Sequence, residues 1–220
     1  EGPLLVLAGA GSGKTKVLTT RVAYLIDELG ITPESILAIT FTNKAAKEMK
    51  DRIFKMLGTV AYQIQISTFH SFGLTILKGH YDKLGYDKNF TILDSDDSST
   101  VVKKILKDMD KDPKKYSYKA IRNKISSAKN ELMEPEDLAK FSTNDMDDLV
   151  VDVYKKYKEK LKTNNSVDFD DLLMLPITLF RMYPDILRFY HDTFKYILID
   201  KYKETNAAQY LLTKMISSKY

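Results

Sequence analysis

The sequence predicts an α/β protein whose parallel sheet is interrupted by a long helical insert. Three observations predict it. Short apolar runs alternate with segments of helical periodicity up to Leu84; past Gly85 the composition turns polar, with apolar residues recurring at three and four; and an apolar run, Tyr196-Ile197-Leu198-Ile199, returns near the end. Strands separated by helices pair in parallel with right-handed crossovers, because a parallel neighbour is reached only through a long connection.

Leu4-Leu5-Val6-Leu7-Ala8, bounded by glycines, reads as a first buried strand. Val17, Leu18, Val22, Leu25 and Ile26 then recur at helical spacing, and Ile36 to Phe41 reads as a second buried strand. A helix is predicted from Asn43 to Leu57, an alternating strand over Ile64 to Ser67, and a helical stretch from Phe69 to Leu84. Within the insert, Val101, Val102, Ile105, Leu106 and Met109 form one apolar stripe, and Leu149, Val150, Val153, Tyr154, Tyr157 and Leu161 another. These spacings predict an all-helical segment. Asn164-Asn165-Ser166 breaks the pattern, Phe169 to Met182 resumes as an apolar helix, and Tyr196 to Asp200 returns as a buried strand. An amphipathic helix with Ala207, Tyr210, Leu211, Met215 and Ile216 closes the sequence. The expected division is a discontinuous core, residues 1–84 and 168–220, around an insert at 85–167.

The 220 residues are 44% hydrophobic and 29% charged, a composition that folds. Cysteine is absent, which excludes disulfides, thiolate zinc sites and a thiol nucleophile, and makes a reducing interior the expected setting. The apolar runs fall far short of the roughly 20 residues that span a bilayer, so no membrane partner is expected. Glu1-Gly2-Pro3 carries no initiator methionine, so a cut piece of a longer chain is expected. The net charge of +4 is too small to imply a polyanionic partner, but its distribution is polarised. Lys103 to Lys129 carries ten basic residues against three aspartates, and Glu131 to Asp152 carries eight acids against Lys140 alone. Two readings remain open for the basic stretch: a solvated face attracted to the acidic one, or a nucleic-acid surface.

Chemistry concentrates after the first apolar run. Ala8-Gly9-Ala10-Gly11-Ser12-Gly13-Lys14-Thr15 lies between a predicted strand and a predicted helix, the context of a phosphate-binding loop. Its glycines let backbone N–H groups curl round phosphate oxygens, and the helix start adds the positive end of its dipole. Lys14 would reach the β- and γ-phosphates of ATP and the Thr15 hydroxyl would ligate Mg²⁺. The strict pattern has glycine where Ala8 stands. A nucleotide triphosphatase also needs an acid at the end of a neighbouring buried strand to hold the metal, and Asp200 follows four apolar residues.

The phosphate loop, then Ala38-Ile39-Thr40-Phe41-Thr42-Asn43-Lys44-Ala45-Ala46-Lys47-Glu48-Met49, then Ser67-Thr68-Phe69-His70-Ser71-Phe72, resemble in order and spacing the UvrD/PcrA/Rep branch of superfamily 1 DNA helicases. Val167-Asp168-Phe169-Asp170-Asp171-Leu172-Leu173 and Thr205-Asn206-Ala207-Ala208-Gln209-Tyr210 extend the resemblance over essentially the whole chain. It implies a RecA-like P-loop domain with an inserted helical subdomain, part of a motor that moves 3′-to-5′ on single-stranded DNA and opens duplex at a junction. It implies single-strand contacts at Phe41, Thr42, Asn43 and Lys44 and at Thr68, Phe69, His70 and Ser71, with Phe41 or Phe69 stacking on a base. It also implies a role for Lys16 near adenine, a second RecA-like domain as partner, and the bacterial cytoplasm and nucleoid as location.

One block departs from the family pattern. Where relatives have Asp-Glu-Tyr-Gln-Asp-Thr-Asn, this chain has Asp200-Lys201-Tyr202-Lys203-Glu204-Thr205-Asn206. The family's water-activating glutamate is thus replaced by an ammonium beside the expected magnesium site, which removes the base and opposes the metal. The resemblance also implies a glutamine-containing adenine-reading segment before the first strand. The expectation is a helicase amino-terminal part that neither unwinds DNA nor turns over ATP usefully by itself. The alternative is a catalytically dead DNA-binding or interaction module that keeps the fold. Another phosphate-loop enzyme is disfavoured, because it leaves the Phe41 to Met49 and Thr68 to Phe72 blocks unexplained.

Overall fold

The computed structural model describes residues 3–7 and 13–218. In chain order its elements are α1 (Lys14–Asp27), β1 (Ile36–Thr40), α2 (Asn43–Leu57), β2 (Gln65–Thr68), α3 (Phe69–His80), β3 (Thr91–Leu93), α4 (Ser95–Asp108), α5 (Tyr118–Asn130), α6 (Pro135–Ala139), α7 (Asp145–Thr163), β4 (Ser166–Asp168), α8 (Asp171–Met182), α9 (Pro184–Thr193), β5 (Tyr196–Ile199) and α10 (Ala207–Ser217). They divide into two compact units. One comprises residues up to Phe72, Phe180–Thr205 and those from Leu212 on; the other comprises Gly73–Leu179 and Asn206–Leu211.

The first unit is built on a parallel sheet of order β2-β1-β5. Thr40 lies opposite Thr68, and Ile39 opposite Ile199, so all three strands run out at the same edge. Every residue of the central strand β1 is buried, which accounts for its unbroken apolar run. Val22 and Leu25 of α1 and Met49 and Ile53 of α2 cover it together with Ala61 and Ile64. Thr42 ends the turn before α2 by accepting the Ala45 N–H at 3.1 Å, a side-chain cap that starts the helix where the sequence predicts.

The expected first strand is not formed. Leu4 to Leu7 pair with nothing in a ladder and stand between 51% and 78% exposed, while Ala8 lies outside the described residues. An apolar run states a demand for burial, but a strand also needs a neighbour to take its N–H and C=O groups. Among the described residues β5 is a sheet edge, and its four residues are only half-buried.

The second unit gathers both predicted stripes into one core: Val102, Ile105 and Leu106 from α4, Ile121, Ile125 and Ala128 from α5, and Leu149 to Leu161 from α7. Asp94 caps α4 by accepting from the Asp96 and Asp97 N–H groups at 2.8 Å, and Asn144 caps α7. The insert is not all-helical: β3 pairs in parallel with β4. Asn165 makes this pairing possible. It takes a left-handed backbone (φ 48°), accepts the Thr91 N–H on its carbonyl at 3.0 Å, and accepts the Asp87 N–H on its side chain at 2.8 Å.

One close approach inside this unit depends on two residues. Pro176 stands inside α8 and has no N–H to give the Leu172 carbonyl one turn back. Gly73 of α3 lies against that carbonyl: a Cβ there would sit 1.8 Å from the Leu172 oxygen and 2.9 Å from its carbon. Since both are backbone atoms, the helices must separate to admit a methyl group. Gly73→Ala is therefore expected to cost at least about 1–3 kcal/mol, the range for overpacking, read as a lower urea midpoint by circular dichroism. An unchanged midpoint would show that the approach is easily relaxed.

Candidate functional site

The phosphate-loop residues Ala8, Gly9, Ala10, Gly11 and Ser12 lie outside the described residues. Gly13 is described and adopts a left-handed backbone (φ 85°) before α1, a conformation that suits a residue without a Cβ. Its carbonyl accepts the Val17 N–H at 3.0 Å, so the helix begins at once with Lys14 and Thr15 in its first turn. Lys14 and Thr15 are half-buried, and Lys16 is exposed. The Thr19 hydroxyl donates to the Thr15 carbonyl at 3.0 Å.

Three other predicted segments come together because the sheet is parallel and in register. β1 ends into Phe41, Thr42, Asn43 and Lys44; β2 ends into Phe69, His70 and Ser71; β5 ends into Asp200. Open parallel sheets bind ligands at this edge, where loops and helix starts converge. Asp200 is 6% exposed, and its N–H donates to the Ile39 carbonyl at 2.9 Å, which fixes the backbone of the acid to the central strand. Lys201 follows in a left-handed conformation (φ 57°) with its side chain in solvent, and Glu204 lies exposed in the short helical turn beyond it.

The two phenylalanines are not equivalent. Phe69 is 1% exposed and meets Phe41 edge-on, with ring centroids 5.6 Å apart, whereas Phe41 is only half-buried. Phe69 is thus spent on the core as the support of Phe41, and of the pair only Phe41 has a face available to a base. Thr42, Asn43, Lys44 and Ser71 are exposed, and His70 is half-buried. Thr68 is buried and occupied with starting α3: its hydroxyl donates to Ser71 Oγ at 3.0 Å and accepts the Ser71 N–H at 3.2 Å. As donors to a phosphate, the exposed groups of both segments are better placed than Thr68.

A donor set of one carboxylate and one hydroxyl suits Mg²⁺, which takes few protein ligands and completes its shell with water and phosphate oxygens. Asp200 and Thr15 are of that kind. No group of three or more His, Cys, Asp or Glu that could hold a metal ion occurs among the described residues. The Lys201 ammonium, next in sequence to Asp200, works against such an ion.

In the second unit, sequence reasoning missed a buried polar cluster. Lys129, counted above in the basic stretch, is 2% exposed, and its ammonium donates to Asp168 at 2.7 Å and to Asp171 at 2.8 Å. The Tyr157 hydroxyl donates to the same Asp168 oxygen at 2.9 Å. Burial opposes the Lys129 charge, but Asp171 and Asp168 outweigh it and hold its pKa well above the lysine range. Burial likewise opposes ionisation of Asp168, yet Lys129 and the hydrogen bonds it receives keep its pKa below the usual carboxylate value. For Asp171 burial wins, and its pKa is pushed up to about 6. The legible signal was position: Lys129 continues the Ile121, Ile125, Ala128 face of α5, where a lysine needs buried acids.

Apart from the half-buried Arg122, the rest of the basic stretch is exposed. Lys103, Lys104, Lys107, Lys111, Lys114, Lys115 and Lys119 are exposed, and Lys103 lies over the Tyr118 ring at 5.5 Å, Lys115 over Tyr116 at 5.5 Å. Between the oppositely charged segments Lys124 pairs with Asp147, 3.1 Å apart, and outside the basic stretch Lys158 pairs with Glu134. Among the described residues no helix is long and apolar enough to cross a membrane.

Comparison with known proteins matches the sequence to one family. A family model described as the UvrD/REP helicase N-terminal domain matches residues 1–220. The chain is 51% identical over its full length to an ATP-dependent DNA helicase PcrA of Bacillus subtilis (strain 168), of which it covers 30%. It is 48% identical to proteins of the same name from Staphylococcus aureus (strain Mu50) and Staphylococcus epidermidis, again over all of this chain and 30% of theirs. The chain therefore spans about a third of the length of the curated relatives it matches.

Proposed function

Because the chain belongs to the UvrD/REP helicase N-terminal domain family, we propose that it is the amino-terminal part of an ATP-dependent 3′-to-5′ DNA helicase. In this reading residues 1–84 and 168–220 belong to the RecA-like nucleotide-binding core and residues 85–167 to the inserted subdomain; the separate hydrophobic clusters support a division in two, while the compact units put its boundaries at Gly73–Leu179 and Asn206–Leu211 instead. The observation that carries the reading is the shared sheet edge, to which the three parallel strands deliver Phe41–Lys44, Phe69–Ser71 and Asp200.

In this reading the loop Ala8 to Gly13 and the start of α1 hold the phosphates of ATP with backbone N–H groups, and Lys14 neutralises the β- and γ-phosphates. Lys16 lies toward the base. Thr15 and Asp200 would hold Mg²⁺, which when bound supplies charge to the transferring phosphoryl group. Single-stranded DNA meets the neighbouring segments: Phe41 stacks on a base, while Thr42, Asn43, Lys44, His70 and Ser71 bond to phosphate or sugar. The exposed lysines from Lys103 to Lys119 face duplex phosphates near the junction. The second RecA-like domain is the partner with which such a core closes on ATP, and the bacterial cytoplasm and nucleoid are the setting.

Lys201 favours a second reading for this chain, a module that binds DNA, and nucleotide weakly, without turnover. Paired titrations with a fluorescent ATP analogue plus Mg²⁺ and with fluorescent single-stranded DNA test both. Saturable nucleotide binding, weakened at least about tenfold by Lys14→Ala, is expected, as is DNA binding that falls steeply with salt. Nucleotide binding indifferent to Lys14→Ala would overturn the ATP site, and salt-independent DNA binding would overturn the phosphate contacts.

A further inference from the structure

The second unit holds a groove that none of the candidate ATP or DNA residues lines. It runs along α5 from Ala120 to Glu131, just past the helix end, and its other wall is Leu138 of α6, Phe141 and Ser142 of the following loop, and Asp147 and Val150 of α7. Its volume is about 580 Å³, within the range of pockets that bury a ligand. The space exists because α5 presents small residues there, Ala120, Ser127 and Ala128, where larger side chains would fill it.

The walls are fixed in place by bonds of their own. Leu132 takes a left-handed backbone (φ 60°), and this turn sends the Met133 N–H back to the Ala128 carbonyl at 2.8 Å. The Met133 carbonyl in turn accepts the Tyr154 hydroxyl at 3.1 Å, so Met133 is held against the end of α5. The Phe141 N–H donates to the Leu138 carbonyl at 3.1 Å, and the neighbouring Ser142 hydroxyl donates to Asp148 at 2.7 Å. Yet the Phe141 side chain stands 66% exposed. An aromatic ring on an ordered backbone beside an apolar groove gains on being covered, and little remains to be ordered when a partner arrives.

Charge identifies what would cover it. Glu131 and Asp147 line the groove and Asp148 borders it through Ser142, against Lys124 alone, whose ammonium is taken by Asp147 at 3.1 Å. Glu131 is exposed and has no cationic partner among the described residues. Glu136 and Asp145 add exposed acids to the same stretch of chain. Such a rim repels phosphate and attracts cations.

We infer that this groove docks a basic amphipathic helix of a partner protein, its apolar face laid against Met133, Leu138 and Phe141 and its lysines or arginines toward Glu131 and Asp148. The length from Ala120 to Glu131, about 16 Å, accommodates about three helical turns, so anchors at i, i+3 or i+4, and i+7 fit it. Such docking is independent of the nucleotide site.

Fluorescence anisotropy of the full chain tests it, with a labelled peptide of about twelve residues that carries leucines at that helical spacing among lysines. Saturable binding is expected, at least about tenfold tighter than to a peptide of the same composition with the leucines scrambled. Phe141→Ala, at an exposed position, is expected to weaken it at least about tenfold. Glu131→Lys, at a helix C-terminus where a lysine is favourable, is expected to weaken it several-fold and to flatten its salt dependence. Both variants should keep the wild-type circular dichroism and the wild-type affinity for single-stranded DNA. No saturable binding, equal affinity for the two peptides, or wild-type affinity in Phe141→Ala overturns the inference. So does self-association in sedimentation that Phe141→Ala abolishes, which would make a second copy the occupant, or a loss of DNA affinity in that variant, which would assign the face to nucleic acid.

Discussion

Replacing Lys129 with methionine is expected to destabilise the chain by about 3–5 kcal/mol, the cost of leaving buried charge without its partner. Methionine roughly fills the volume but leaves Asp168 and Asp171 beside each other, with the Tyr157 hydroxyl and the Asp171 N–H as the donors that remain on Asp168. The pH dependence separates lost charge from lost packing. In the wild type, the lowered pKa of Asp168 contributes stability that is present above about pH 4 and lost as the pH falls through its folded value. Asp171, pushed up by burial to about 6, has the opposite sign: its share is present below about pH 4 and lost as the pH rises through about 6. The raised pKa of Lys129 keeps its contribution intact up to the ordinary lysine range near 10.4, with loss only above it. Without the ammonium both carboxyls are pushed toward the neutral form, so the variant should gain stability as the pH falls from about 8 to about 5. Urea midpoints followed by circular dichroism at the two pH values check this. A deficit that does not shrink at the lower pH would assign the loss to packing.

Restoring a carboxylate at position 201 is expected to raise ATP turnover by about 10²- to 10⁴-fold, the usual worth of a positioned general base. Lys201 adopts a left-handed backbone (φ 57°), and glutamate bears the same strain as lysine there, so Lys201→Glu changes chemistry without changing the turn. Lys201→Gln separates two effects. It removes the ammonium that opposes Mg²⁺ beside Asp200 but provides no base, so it should tighten Mg²⁺-nucleotide binding while leaving turnover low. Phosphate release measured with single-stranded DNA present decides the matter. Equal gains from glutamine and glutamate would mean that repulsion alone is the obstacle, and no gain from either would show that position 201 is not where catalysis is blocked.

Elements and motifs were legible in the sequence because each is a property of a few neighbouring residues. The buried run of β1, the alternation around β2 and the stripes of α4 and α7 need only a period or a short spacing to be found. The phosphate-loop spacing and the acid after the last apolar run are local patterns of the same kind, whereas the block from Ala38 to Met49 was singled out by its resemblance to a family. Pairing was not legible: Leu4 to Leu7 have a strand's composition without its partner, and β3 exists because Asn165 turns the chain so that Thr91 can reach it.

What the sequence by itself determined is therefore which residues are candidates for chemistry and, for most of them, the type of element that holds them. The tertiary structure decided which of those residues remain available. Phe41 and Phe69 stand in similar positions after parallel strands, yet packing sends Phe69 into the core and leaves Phe41 half-exposed. Lys129 reads as one more cation of a basic run, but it is buried because its two acids come from 39 and 42 residues away. Charge and hydrophobicity are written locally, whereas burial and its energetic consequences depend on neighbours that only the packed helices bring together.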